Sequence, residues 1–229
     1  MRRALIATAM AVALIASACT RVSDGVPTVR SDARAPTSDP ARTSQTPTPS
    51  DDPEDAMPGV VATTQPPQPC TPDAPMPVQV VAQVSDPQAP TATVGVPDGW
   101  SMSSGGADPQ GARLQGPDGI WASVTISPTP LGPAAAFRQY DDDRTSGAAI
   151  STMSLLPGQL CGYSGQKLMG MLSAGTEGTA TVQYQDRVVH VPGPVQDYLI
   201  AVRVEAPSGA PGFTEAASQL TDDFGIGLP

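Results

Sequence analysis

Positive charge is scarce in this sequence. Twelve Lys and Arg residues stand against 22 Asp and Glu residues, which gives a formal net charge of −10. Lys167 is the one lysine, and Arg2 and Arg3 lie at the extreme N-terminus. Because binding to nucleic-acid phosphates requires clustered Lys and Arg, a nucleic-acid-binding function is disfavoured.

Histidine is almost absent. His190 is the one histidine, so any Ser-His-Asp or Cys-His arrangement must use it. It lies within the apolar stretch 188–191, where we expect a packing or edge residue of a strand. The stretch 162–166 (Gly-Tyr-Ser-Gly-Gln) misses the G-x-S-x-G pattern by its last residue, and it lacks the Gly-Lys-Ser/Thr ending of a phosphate-binding loop. We therefore predict no catalytic residue, no cofactor and no enzymatic activity.

Metal-ligand patterns are missing as well. The densest acidic run, Asp141-Asp142-Asp143, is compatible in principle with Ca²⁺. On a helix, however, consecutive side chains point about 100° apart, so the three carboxylates do not converge on one ion. We predict a solvated helix end and no metal site.

Aromatic residues make up only 4% of the chain, whereas proline (27) and glycine (22) are abundant and asparagine does not occur. The apolar material is mostly Ala, Val, Leu, Ile and Met, which predicts a modest core. The length suits one domain together with unstructured chain. The bias toward Ala, Gly, Pro and Arg is typical of a GC-rich, actinobacterial genome.

The N-terminus has the pattern of an export signal. Met1-Arg2-Arg3 precedes an apolar run from Ala4 to Ala16, and small residues lead to Cys19. The stretch 14–19 resembles the bacterial lipobox, in which the cysteine is lipidated and becomes the new N-terminus; Ala16 stands where that motif usually has an aliphatic residue. We predict a signal peptide over 1–18 and a lipid anchor on Cys19 whose two acyl chains, palmitate among them, hold the protein on the outer face of the cell membrane. The alternatives are cleavage after Ala18 without lipid, and an uncleaved anchor helix.

Two cysteines remain, Cys70 and Cys161. An oxidising extracytoplasmic compartment favours a disulfide between them, which would close a loop of about 90 residues. The alternative is two unpaired thiols. Residues 19–77 are rich in Pro, Thr and Ser, which predicts a disordered, semi-stiff tether with possible sites for O-linked sugar.

A single globular domain is expected over residues 78–229. Period-two alternation predicts strands, and Phe213, Ala216, Ala217, Leu220 and Phe224 form one helical stripe. The predicted strands are 93–96, 112–115, 120–126, 153–156, 163–172, 179–185, 187–191 and 198–205, with helices at 132–144 and 212–223, a hairpin turn at 116–119 and a hairpin tip at Gln185-Asp186; residues 78–81 start either a helix or a strand. This order predicts an α+β fold with an antiparallel sheet flanked by helices.

The middle of the domain carries a cluster of long apolar side chains. They are Leu155, Leu156, Leu160, Leu168, Met169, Met171 and Leu172. Methionine adapts to irregular apolar shapes, so the cluster fits either a lipid or partner-protein surface or, more simply, the core of the sheet.

The element order and the stretch Val96-Pro97-Asp98-Gly99-Trp100 resemble the mycobacterial LpqN/LpqT-type lipoproteins from about Thr91 to the end. The resemblance implies a Mog1/PsbP-like fold and a cell-envelope protein without a defined catalytic site. We therefore expect a non-enzymatic binding or accessory domain that recognises an envelope protein or an apolar ligand. The alternatives are an enzyme that acts on envelope lipid or glycan, and a purely structural surface antigen.

Overall fold

In a computed structural model of the chain, residues 60–64, 66–104, 108–175 and 180–229 are described. The predicted signal peptide, Cys19 and the predicted tether up to residue 59 lie outside the described residues. No helix in the described part of the chain is both long enough and apolar enough to cross a membrane.

The described residues form ten strands and two helices. In chain order these are β1 (Gln79–Ala82), β2 (Thr91–Gly95), β3 (Ser101–Ser104), β4 (Gln110–Gln115), β5 (Trp121–Thr129), α1 (Pro133–Thr145), β6 (Ile150–Leu160), β7 (Tyr163–Ser173), β8 (Val182–Val191), β9 (Asp197–Pro207), α2 (Phe213–Thr221) and β10 (Gly225–Gly227). The prediction of an α+β fold with an antiparallel sheet is confirmed.

Seven strands form one antiparallel sheet in the order β3-β4-β5-β9-β8-β7-β6. The predicted β4–β5 hairpin is present, and its turn contains a short 3-10 segment at Pro117–Gly119. A smaller antiparallel sheet, β1-β2-β10, packs into the same core. Residues 78–81, left open between helix and strand, mostly belong to strand β1.

The main core lies on the sheet face that carries α2. The predicted helical stripe is buried there: Phe213, Ala216, Ala217 and Leu220 lie in α2, and Phe224 follows it. Alternate residues of β9, from Tyr198 to Ala206, point into this core. The strands contribute apolar residues at period two and α2 contributes them at period 3.6. The core is built mainly of Ala, Val, Leu and Ile, together with the buried aromatic residues Tyr163, Tyr198, Phe213 and Phe224.

The opposite face carries α1. Gly132 caps this helix, and Pro133 occupies its first turn, as the sequence predicts. Phe137 packs with Leu168, Tyr184 and Val188 in a second, smaller cluster. The two helices therefore hold the sheet from opposite sides.

One predicted turn is wrong. Gln185-Asp186 is not a hairpin tip, because β8 runs without a break from Val182 to Val191 and Asp186 pairs with Leu168 on one side and Arg203 on the other. Both polar side chains are accommodated within the strand by partners on the helices: the Gln185 amide donates to Thr221 Oγ1, and Asp186 accepts from Arg144. The predicted start of this strand at Thr179 lies outside the described residues.

The folded region begins before Val78. The backbone amide of Gln68 donates to the Tyr163 hydroxyl over 2.8 Å, and that hydroxyl donates to the Gln68 carbonyl over 2.7 Å. The backbone of Cys70 pairs with Ile226 of β10. The segment 66–77 is therefore attached to the domain at these points, although most of its prolines are exposed. Composition alone does not distinguish such a segment from a tether.

Candidate binding surface

Strand β6 forms one edge of the seven-stranded sheet. It is eleven residues long and pairs with β7 alone among the described strands. The other edge strand, β3, has only four residues. Natural proteins protect sheet edges with short strands, charged side chains, bulges or proline. Between Ile150 and Leu160 there is no charged residue, and Pro157 is the one residue that blocks pairing.

Apolar side chains are exposed along this edge. Ile150 is 63% exposed, Leu156 52% and Met171 of the neighbouring strand 40%, while Met153 and Leu155 are exposed to similar extents. We call Ile150, Met153, Leu155, Leu156 and Met171 the edge strip. Since neighbouring residues of a strand point to opposite faces, Leu155 and Leu156 make both faces of the edge apolar. Met153 and Leu155 lie on one face of the edge, and Ile150, Leu156 and Met171 lie on the other. Each face therefore carries exposed apolar side chains of the kind found at interaction sites.

The edge strip contains part of the predicted apolar cluster. Leu156, Leu155 and Met171 are exposed, whereas Leu168 and Leu160 are buried in the core. Met169 and Leu172 are half-buried. The core interpretation holds for Leu168 and Leu160. Leu155, Leu156 and Met171 are exposed and stay candidates for a surface that contacts a lipid or a partner protein.

The β6–β7 hairpin is fixed at its tip. Its two-residue turn, Cys161-Gly162, has φ angles of 55° and 79°, as in a type I′ turn. Cys161 forms the predicted disulfide with Cys70, and their Cα atoms are 6.0 Å apart. The disulfide thus joins the tip of the hairpin to the chain segment that precedes β1.

That segment wraps around the hairpin. We call residues 60–64 and 66–70 the strap. On the α1 face, Ser164 Oγ donates to the carbonyl of Val61, and the Ser164 amide donates to Thr63 Oγ1. On the α2 face, the strap exchanges hydrogen bonds with Tyr163. The hairpin end is therefore held from both faces, while the outer edge of β6 from 150 to 157 stays exposed.

A cluster of charged side chains lies beneath α1. Asp186 Oδ2 accepts a hydrogen bond from Arg144 Nε over 2.8 Å and another from the Tyr140 hydroxyl over 2.9 Å. Arg144 Nη2 lies 2.7 Å from Glu205 Oε1, and its guanidinium stacks 4.3 Å from the ring centre of Tyr184. Burial raises the pKa of the Asp186 carboxyl, and the guanidinium of Arg144 opposes that shift.

Asp141 lies in the same buried layer, next to this cluster. Its Oδ1 accepts from Gln166 Nε2 over 2.8 Å, and Oδ2 has no hydrogen-bond partner among the described residues. Burial raises the pKa of Asp141 to about 7. The prediction of a solvated acidic run is therefore wrong for Asp141, which faces the sheet, whereas Asp142 and Asp143 are exposed.

The centre of the cluster is closed to solvent. The side chain of Asp186 is 0% exposed and that of Arg144 5%. A substrate cannot reach these groups without moving α1. The hydrogen bonds and ion pairs of this cluster attach α1 to β8 and β9.

His190 is also buried. Its Nε2 lies 2.9 Å from the Leu131 carbonyl and 3.4 Å from Asp197 Oδ2. No serine or cysteine is among the partners of this ring in the described part of the chain. Nor do three or more His, Cys, Asp or Glu side chains come together there in a way that could hold a metal ion.

The chain is similar in structure to solved proteins of low sequence identity, among them LpqN and a cyanobacterial PsbP. The crystal structure of LpqN, described as involved in cell envelope biogenesis of Mycobacterium tuberculosis, superposes with a TM-score of 0.52 and 16% identity, over 66% of this chain and 91% of LpqN. The chain has the LpqN fold. The solution structure of cyanobacterial PsbP from Synechocystis sp. PCC 6803 gives a TM-score of 0.43 at 14% identity, over 66% of this chain and 96% of that one. No protein-family model and no curated protein sequence matches the chain.

The LpqN-like fold agrees with the antiparallel α+β architecture that the sequence predicts. The turn that carries the resemblance is present: the Trp100 amide donates to the Pro97 carbonyl over 3.2 Å, and Gly99 has a φ of 78°. Trp100 is partly buried and packs against the main core.

Sequence reasoning missed Ile150 and Met153 as members of the edge strip. The sequence contains a signal for this surface, since none of the eleven residues of β6 is charged. The burial of Asp186 was also missed. A carboxylate is rarely buried unless it is paired, and the residues that pair with Asp186 lie far from it in the sequence.

Proposed function

We propose that this chain is an extracytoplasmic lipoprotein, anchored through Cys19, whose folded domain is a non-enzymatic binding or accessory module of the cell envelope. Its partner is another envelope protein, which contributes an extended, uncharged segment with apolar side chains. That segment adds to the sheet along β6. The observation that carries this proposal is the long, uncharged, apolar edge of β6.

Strand addition suits this edge. The backbone groups on the outer side of β6 supply affinity without regard to sequence, and side-chain contacts on both faces supply selectivity. The disulfide and the strap fix the hairpin at one end, so little ordering accompanies binding. The composition of β6 also favours an uncharged partner segment, because this strand has no charged side chain that could form an ion pair with the partner.

A partner protein fits better than a small apolar ligand. The space between the sheet and α2 is filled by buried side chains of the main core. The clefts that the described residues form lie at the surface. The edge strip is likewise a surface feature, of the kind that another polypeptide covers.

The envelope assignment is supported by two features. One is the lipobox-like stretch that ends at Cys19. The other is the shared fold with LpqN, whose description places it in cell envelope biogenesis. We extend that role to this chain as part of the proposal.

The proposal is tested by isolating the full-length protein from its native membrane in mild detergent. Two variants are compared with the wild type: Met153→Lys/Leu156→Lys on the edge strip, and Val195→Lys, which changes an 82% exposed apolar residue in the β8–β9 turn. We expect one partner protein to accompany the wild type and Val195→Lys, and to be lost from Met153→Lys/Leu156→Lys. Equal recovery of the partner with all three proteins, or no partner with any, contradicts the proposal.

A further inference from the structure

Two adjoining clefts run along the exposed side of α2, and none of the described residues that line them belongs to β6. Their volumes are about 330 and about 300 Å³, and both are lined by Met76 and Gln219. One extends toward the end of the helix at Asp222, and the other toward its start at Gly212. Together they form what we call the α2 groove.

The wall opposite the helix is aromatic and proline-rich. Trp100, Pro97 and Pro117 line it, and Pro211 lies at the helix start. Rigid prolines and an indole face form a surface on which an extended proline-containing peptide packs at low cost in conformational entropy.

Two glycines shape the groove. A Cβ atom on Gly116 would overlap with the indole of Trp100, and a Cβ atom on Gly95 would overlap with the side chain of Met76. The indole and the thioether therefore lie directly against the backbone. Their outer surfaces remain available to form the groove.

The groove is acidic. Asp98 and Glu215 line it, both are exposed, and neither has an ion-pair partner among the described residues. Asp222 is already paired with Lys167. No Lys, Arg or His is among the described residues that line either cleft.

We infer that the α2 groove binds an extended, proline-containing peptide segment that carries arginine or lysine. The peptide's prolines and apolar side chains pack against Trp100 and Met76, and its cations pair with Asp98 and Glu215. This site is separate from β6, so the inference does not rest on the function proposed above.

Tryptophan emission provides the test. The chain contains two tryptophans, so Trp121→Phe leaves Trp100 as the one indole. The full-length Trp121→Phe protein is titrated with a synthetic peptide that repeats Arg-Pro-Leu-Pro, and in parallel with a peptide that repeats Glu-Pro-Leu-Pro. We expect a saturable change in Trp100 emission with the first peptide only, and weaker binding at high salt because the carboxylates are exposed.

Charge reversal locates the site. Asp98→Lys/Glu215→Lys, made in the same Trp121→Phe protein, should weaken binding about tenfold, since two exposed attractions become repulsions. The matched control is Asp142→Lys, which reverses an exposed charge on α1 and should leave the affinity unchanged. The inference is overturned if emission shows no saturable change, if both peptides bind equally, or if Asp142→Lys weakens binding as much as the groove variant.

Discussion

At the scale of single residues, Asp186 determines how α1 is attached to the sheet. It is fully buried in the middle of β8 and accepts hydrogen bonds from two side chains of α1, Arg144 and Tyr140. A buried charge is tolerated only when it is paired, so the carboxylate and the guanidinium depend on each other. The attachment of α1 is therefore electrostatic as well as apolar.

Asp186→Asn should lower the free energy of unfolding by about 3 kcal/mol, because the Arg144 guanidinium loses its closest buried carboxylate. Urea denaturation measures this loss. Arg144→Met should cost a similar amount, and the double variant should cost clearly less than the sum, since the second change removes the charge that the first left unpaired. Additive losses would show that the two side chains do not act as a pair.

Asp141 makes the stability depend on pH. In the folded chain burial raises its pKa to about 7, from an ordinary value of 3.8. Between these values the folded state holds a proton that the unfolded state has lost, so the contribution of Asp141 to stability falls as the pH rises from about 4 to about 7.

Asp141→Asn should therefore stabilise the protein at pH 8 by about 1–3 kcal/mol, because a buried carboxylate is replaced by a neutral amide. Near pH 4 the difference from the wild type should vanish. Urea denaturation at several pH values measures the difference in the free energy of unfolding between Asp141→Asn and the wild type, with the exposed Asp142→Asn as the control. A constant difference at every pH would mean that Asp141 is not protonated in the folded state.

At the scale of elements, the β6–β7 hairpin is the part of the fold on which the proposed function depends. Its tip is tied by the Cys70–Cys161 disulfide across a sequence separation of 91 residues, and the strap covers its end. The rest of β6 extends beyond these contacts with its outer edge unpaired among the described strands. The hairpin thus combines a fixed tip with an open edge.

Replacing both cysteines, Cys70→Ser/Cys161→Ser, should lower the free energy of unfolding by about 3–5 kcal/mol, since the unfolded chain gains the freedom of a long loop. Urea denaturation with and without a reducing agent measures the effect. The wild type should lose stability on reduction, whereas the double variant should not respond. Loss of stability on reduction in both proteins would assign the effect to the reductant.

The sequence predicts this level of structure unevenly, for physical reasons. Strands such as β9, with alternating apolar residues, and the α2 stripe follow directly from periodicity. Strand β10 has only three residues, Gly225–Gly227, and is defined by pairing with β2 rather than by local pattern. The polar pair Gln185-Asp186 resembles a turn in the sequence. Its hydrogen-bond partners lie on the two helices, so the local pattern does not show that both side chains are paired within a strand.

The candidate site was predicted only in part for a related reason. A run of Leu and Met residues indicates an apolar surface or core, but whether a strand lies at the edge of a sheet depends on the strand order. Strand order is set by long-range pairing, here β9 inserted between β5 and β8. Leu168 and Leu155 pair directly, yet one is buried and the other exposed.

At the scale of the whole molecule, the proposed arrangement is a lipid anchor, a tether and a binding domain in that order. The strap marks where the described domain begins, next to the β6–β7 hairpin. The domain offers two separate surfaces, the uncharged edge of β6 and the acidic α2 groove. They differ in chemistry, and we therefore propose a different partner segment for each.

The most direct test of the central claim is photo-crosslinking in the living cell from benzoylphenylalanine placed at Leu156 or, as the control, at Val195. We predict a discrete crosslinked product with one envelope protein from position 156 and none from position 195. The product should disappear when Ile150→Lys and Met153→Lys are added, because charges along the edge prevent strand addition. No product from position 156, or the same product from both positions, would contradict the assignment of β6 as the binding edge.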